Sequence, residues 1–380
     1  MIIIWNDREL KSLSHPALIT KYKTGCESGD WLYHSEARAK WNSTLEMKSF
    51  IICVVICLGT LMTTLFWAKL DRWEELHQLP RMRRQPMRPS QYCKGCQKLI
   101  QNTTDIYSKR WQRLRGYYTQ FRLKMQNEGI DVEDAIISKT NFPVGSNITE
   151  KLMVTRPLFS LFPPRNPLFN KTWDTCSVVG NGGILFDSHC GKKIDSADFV
   201  IRCNLPPLHG TFGKHVGTKS SFVTANPSIL RKIQKENYSE EIMEKMKPYD
   251  DAIIALPDQN PLVFETISIL RELKSPSRPV FLNPKYMSKL TDFWRSRGVK
   301  AARLSSGLFM VSMALELCRN VHVYGFWPFS IHPFGLYFLP HHYYDDTLPR
   351  KFHKMPVEFD LLLQLHTQGV IRIQLGACRE

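Results

Sequence analysis

No D-x-D occurs anywhere in the 380 residues, so the carboxylate pair that often grips a divalent cation beside a sugar nucleotide is missing. The one glycine cluster, Gly180-Asn181-Gly182-Gly183, has Leu185 where G-x-G-x-x-G needs its third glycine. That excludes a dinucleotide fingerprint. No G-K-[ST] follows it, which excludes a P-loop. Cys93 and Cys96 make a lone C-x-x-C without the second pair of a zinc site. Internal repeats and low-complexity tracts are also absent, which excludes solenoids and disordered polymers.

Positive charge is abundant: 51 Lys and Arg stand against 35 Asp and Glu, a net charge of +16. Such a balance favours anionic partners. A basic and aromatic stretch, SKRWQRLRGYYTQFRLK, could mimic a nucleic-acid stripe, but an amphipathic helix accounts for it and no nucleic acid is expected. At 43% apolar residues the chain has enough to build a core.

From Phe50 to Ala68, nineteen residues carry no charge and lie between Lys48 and Lys69. That length suits a bilayer core of about 30 Å. The expectation is a retained signal anchor, with residues 1–49 as a cytoplasmic tail, 50–68 as a single transmembrane helix and 69–139 as a stem. Residues 140–380 follow as the catalytic domain. Flanking charges alone would orient the span the other way, with Lys69, Arg72, Arg81, Arg83 and Arg84 outnumbering Arg38, Lys40 and Lys48. Sequons at Asn102, Asn147, Asn170 and Asn237, together with scattered cysteines, favour an oxidising, glycosylating compartment for the C-terminal part. Another sequon, at Asn42, precedes the span. Met47 opens MKSFIICVV, so residues 1–46 read as an alternative-start extension. The stem segment 69–128 has 14 basic and 5 acidic residues and little apolar patterning.

Beyond residue 140, short apolar runs bounded by turn residues alternate with helix-length segments: CSVVG, ADFVIRC, DDAIIAL, RPVFLN and NVHVYGFW. Such alternation implies an α/β fold with a doubly wound, Rossmann-like parallel sheet, whose ligand crevice lies beyond the strand carboxyl ends. Two helices are legible, NPSILRKIQKENYSEEIMEKM after Asn226 and SSGLFMVSMALELC from Ser305. The glycine cluster then reads as a turn at which a bound nucleotide could meet backbone N–H groups without a Cβ in the way.

HHYYDD at 341–346 and His353, five residues before Glu358, add histidines and carboxylates. Adjacent side chains seldom converge on one ion, so His341, His342 and Asp345 read as non-metal groups and no metal is expected. Histidine can serve as base and charge stabiliser near neutral pH.

Four segments in order resemble the motifs of the sialyltransferases, specifically the α-2,8 group with short products. CSVVGNGGILFDSHCGKKIDSADFVIRCNLPP is similar to the large sialylmotif and RLSSGLFMVSMALELCRNVHVYGFWPF to the small one. HHYYD is similar to motif III, and His353 to Glu358 to the very small motif. The resemblance implies a GT-A-like variant of the fold, CMP-sialic acid as donor, a sialylated glycoprotein or glycolipid as acceptor, and no cofactor. It also implies a single-pass type II protein of the Golgi membrane, with homodimerisation open. Residue by residue, it places Asn181 and Asn204 at the donor's phosphate and sugar. Ser305, Ser306 and Gly307 would contact its sialyl and nucleotide parts, and Trp327 its pocket. The chain has L-S-S-G where the family commonly has L-S-T-G, which keeps a hydroxyl.

The same resemblance makes His342 the phosphate-facing histidine and His353 the base. It leaves open whether Glu358 orients His353 or supports its helix. It pairs Cys176 with Cys318 and Cys190 with Cys378, leaves Cys203 a buried thiol, and lets Cys93 and Cys96 pair together or between subunits. Gly182 stands where polymer-forming relatives resemble G-N-S-G, which implies short products. Nine basic residues from Arg271 to Arg303 suggest the opposite, a track for a growing polyanion. A glycan-binding protein that has lost transfer is the alternative from another class, and the presence of His353 weighs against it.

Overall fold

The computed structural model describes residues 55–56, 58–64, 96–234, 237–257, 259–334, 337–345 and 353–378. Met1–Arg83 and Arg84–Glu380 are separate units. In the first unit the described residues, 55–56 and 58–64, are helical. Among the described residues no helix is long and apolar enough to cross a membrane. This corrects the transmembrane segment expected at 50–68. With it go the membrane anchoring, the type II topology and the Golgi-membrane placement that rested on it. Residues 1–49, including Met47, lie outside the described residues, as does Cys93.

The second unit is built on seven parallel strands: β3 (Trp173–Val179), β4 (Phe199–Arg202), β5 (Phe222–Thr224), β6 (Ile253–Leu256), β7 (Arg278–Phe281), β8 (Cys318–Tyr324) and β9 (Arg372–Gln374). Their order across the sheet is β7-β6-β5-β4-β3-β8-β9. A small antiparallel pair, β1 (Asn147–Thr149) with β2 (Leu152–Met153), stands apart. The chain leaves β3 in one direction as far as β7, then returns to place β8 on the other side of β3. The C-terminal ends of β3 and β8 therefore border the point where strand order reverses, the place where open α/β sheets bind ligands.

Apolar side chains alternate into two cores, one on each face. Cys176, Val178, Ile201 and Val323 enter one; Val179, Val200, Val223 and Ile254 enter the other. Covering helices include α1 (Cys96–Tyr107), α2 (Arg115–Asn127), α3 (Pro227–Ile233), α4 (Tyr238–Met246), α5 (Pro261–Glu272), α6 (Pro284–Ser296), α7 (Ser306–Leu317) and α8 (Met355–Thr367). Two of these, α1 and α2, lie in the segment read as stem. Tyr118 and Met125 of α2 are buried in the core, and Leu99, Ile100 and Ile106 of α1 pack against it. The long helix read after Asn226 is two helices, because Asn237 starts a second one with Glu240 and Glu241 in its first turn.

In α7 every residue from Leu308 to Leu317 is buried, so the helix is apolar on all sides and spans the core rather than capping it. Its one carboxylate, Glu316, accepts from the Tyr286 hydroxyl at 2.5 Å and from the Val132 N–H at 2.7 Å. Burial pushes its pKa up to about 7. An acid with a raised folded-state value holds its proton more tightly when folded, so its penalty is absent below about pH 4.5 and complete above about pH 7. The expected result is that stability falls by about 3 kcal/mol across that window through this group. Glu316→Gln should flatten the slope in urea melts taken from pH 5 to 8.

Candidate active site

Asn181, Gly182, Asn204, Ser305, Ser306 and Gly307 line one cavity at the β3/β8 switch point, together with Trp327, His342 and His353. All eight residues named from the motif resemblance are thus brought together, from segments up to 172 positions apart in sequence (Asn181 to His353). Asn226, Met355, Glu358, Phe359 and Leu362 complete part of the wall.

The glycine turn works differently from its sequence reading. The N–H groups of Gly180 and Gly182 donate to the carbonyls of Tyr324 (2.8 Å) and Gly325 (3.0 Å), so these two are committed to the loop after β8. A Cβ at Gly182 would lie 2.6 Å from the Gly325 oxygen, and one at Gly183 only 2.1 Å from the Pro340 oxygen. The glycines let three backbone segments meet. The third segment carries His342, which bridges to Gly182, while the Tyr343 N–H donates to the Asn181 carbonyl at 2.9 Å. The large-motif turn thereby positions the HHYYD stretch.

Asn181 donates from Nδ2 to the Cys203 carbonyl at 2.9 Å, whereas its buried Oδ1 has no partner in the protein. Such an orphan acceptor in a cavity wall suits a ligand donor group. Asn204 follows β4 with φ of 63°, a left-handed conformation that asparagine tolerates better than most residues. Its N–H donates to Thr224 Oγ1 at 3.0 Å, and its Oδ1 accepts from the Asn226 N–H at 3.3 Å. Just before it, the fully buried Arg202 fixes the strand end by donating to the carbonyls of Lys219 (2.9 Å) and Val216 (2.8 Å).

Ser305 is the N-cap of α7, its Oγ accepting from the Leu308 N–H at 3.1 Å. Glu358 accepts from the Ser305 N–H at 3.0 Å and from the Ser305 hydroxyl. Of the two roles open for Glu358, the geometry favours bracing: it ties α8 to the small-motif loop. Burial raises its pKa, partly offset by the hydrogen bonds from Ser305. Ser306 Oγ accepts from Asn226 Nδ2 at 3.0 Å, and a Cβ at Gly307 would meet the Phe326 ring at 2.6 Å. Trp327 is buried, donates to the Ile331 carbonyl at 2.7 Å and packs edge-on against Phe329 and Phe359.

His353 Nδ1 lies 2.9 Å from the Arg303 carbonyl. A carbonyl only accepts, so Nδ1 is the donor in this pair and Nε2 is the ring's other nitrogen. His342 pairs through Nδ1 with Asp345 at 2.8 Å and stacks on Tyr344. Burial, with His342 alongside, lowers the His341 pKa to about 4, so that ring is neutral at physiological pH. Among the described residues, the three-ligand grouping close enough to share a cation is Asp187, His189 and His215, none of which lines this cavity. Disulfides join Cys176 to Cys318 and Cys190 to Cys378, while Cys203 is a buried thiol with its pKa pushed up to about 12 by burial.

Asn226 escaped sequence reasoning because Asn-Pro reads simply as a helix start. Its side chain instead leaves the cap position to hold Ser306, which no local signal announces. The Arg303 carbonyl escaped for the same reason, since a main-chain acceptor leaves no mark on residue type.

The cavity gathers asparagine, serine and histidine side chains beside the sheet switch point. Residues 124–370 match Glycosyltransferase family 29 (sialyltransferase), and the chain belongs to that family. Within it the chain is closely related to the α-2,8-sialyltransferases. It is 39% identical over 296 residues to mouse alpha-2,8-sialyltransferase 8F, covering 73% of each chain. It is 40% identical over 289 residues to the bovine alpha-N-acetylneuraminide alpha-2,8-sialyltransferase, covering 71% of this chain and 79% of that one. A solved mammalian sialyltransferase aligns with a TM-score of 0.47 at 22% identity, over 64% of this chain and 90% of its own.

Proposed function

We propose that this enzyme transfers sialic acid from CMP-sialic acid to a sialylated glycan in α-2,8 linkage, with inversion and without a metal, using His353 as base. The observation that carries the reading is the convergence of Asn181, Asn204, Ser305, Ser306, Gly307, Trp327, His342 and His353 on one cavity. The donor already has a good leaving group, a phosphodiester-linked nucleotide, so bond cleavage needs charge stabilisation more than acid catalysis. His342, oriented by Asp345, would donate to the departing phosphate. His353 Nε2 would take the proton of the acceptor hydroxyl as that oxygen attacks the anomeric carbon from the opposite face. The unpartnered Asn181 Oδ1 supports donor binding by offering an acceptor to a donor hydroxyl. EDTA should leave the transfer rate unchanged; reversible loss of activity on chelation would defeat the metal-free mechanism.

The way the basic segment is used supports the reading of short products. Arg271 donates to the carbonyls of Ser160 and Leu161, Arg278 to that of Asp251 and Lys289 to that of Gly129. Arg295 pairs with Asp292, and Arg297 pairs with Glu128 while lying over the Phe293 ring. Five of the nine basic residues are thus engaged within the fold, which supports structural duty over a polyanion track. With a monosialylated acceptor and excess donor, chain sizing should find one to a few added residues.

A further inference from the structure

The donor cavity continues into a second cleft that shares His341, His342, His353 and the asparagine–serine wall with it. What the second cleft adds is positive charge: Arg231 and Lys232 from the last turn of α3, and Arg303 from the approach to α7. Among the described residues lining it, Asp345 is the one carboxylate, and that group pairs with His342. The cleft therefore offers an unbalanced cationic wall beside the base. Arg303 has a particular place in it, because it lines the cleft and its carbonyl accepts from His353 Nδ1.

Resting on the sialyl-transfer reading, we propose that Arg303, supported by Arg231 and Lys232, forms a subsite for the carboxylate of the acceptor's terminal sialic acid. The carboxylate and the hydroxyl to be extended belong to the same sugar. A hydroxyl placed at His353 must then bring its carboxylate close to the residues flanking that histidine. A guanidinium matches a carboxylate in a bidentate fork, so recognition here fixes orientation as well as charge. An acceptor ending in a neutral sugar would leave the cationic wall unanswered, which makes the subsite a selector for already sialylated glycans.

The test uses the purified full-length chain with a sialyl-lactoside acceptor and the same compound with its carboxyl converted to the neutral amide. The KM for the acid should be about ten- to a hundredfold below that for the amide, as expected for charge-assisted hydrogen bonds. In Arg303→Gln/Arg231→Gln the ratio should collapse toward one with the KM for CMP-sialic acid unmoved, and Arg303→Lys should restore part of it. Equal KM values for acid and amide in the unmodified enzyme, with transfer intact, would overturn the subsite and leave sialyl transfer standing; this comparison needs no variant to fold. Absence of both transfer and CMP release with every acceptor would overturn both.

Discussion

His353→Ala lowers turnover by about two to four powers of ten, the usual contribution of a positioned general base, while the KM for CMP-sialic acid changes little. The split follows from geometry. His353 Nδ1 is held by the Arg303 main-chain carbonyl, so its loss should leave the asparagine–serine wall in place. Asn204→Ala should do the reverse, raising the donor KM, because Asn204 links the β4 end to Asn226 and hence to Ser306. Initial rates over a matrix of donor and acceptor concentrations separate the two patterns. A His353→Ala enzyme of near-normal turnover would remove the base assignment.

Removing the Cys176–Cys318 bond should be the largest stability change. The bond joins β3 to β8, the two strands bordering the switch point, and closes 142 residues. In the chain-entropy model such a loop corresponds to about 5 kcal/mol, and loss of a native disulfide typically costs about 2 to 5. Total stability of a domain is about 5 to 15 kcal/mol, so Cys176→Ala/Cys318→Ala places the fold near its threshold. Urea unfolding should show a lower midpoint at a similar slope, with CMP-sialic acid in excess recovering part of the loss. An unchanged midpoint would mean that strand packing alone holds the switch point.

How far the sequence could be read depended on whether information was local. Runs such as CSVV, FVIR and IIAL are strands because β-branched residues buried on both faces leave a continuous apolar signature. The three-residue strands β5 and β9 give too short a run to stand out from turns and were not legible. Buried α7 was legible through SSGLF, a capping serine ahead of an apolar run. The apolar run 50–68 has the composition of a membrane span, but among the described residues no helix is long and apolar enough to cross a membrane.

Site residues were legible as motifs, not as geometry. Nothing local shows that Gly182 and Gly183 admit the close approach of Gly325 and Pro340; only the fold brings those segments within reach. Glu358 likewise could be matched to a motif, but its grip on Ser305, 53 positions away, is a tertiary fact.

The most direct test of the account is to incubate the purified chain with labelled CMP-sialic acid and a panel of sialylated and asialo glycolipids and glycoproteins, then determine linkage and anomeric configuration by NMR. The account predicts label on sialylated acceptors alone, as α-2,8-linked sialic acid with the anomeric configuration inverted relative to the donor. Transfer to asialo acceptors, another linkage, or retained configuration would contradict it.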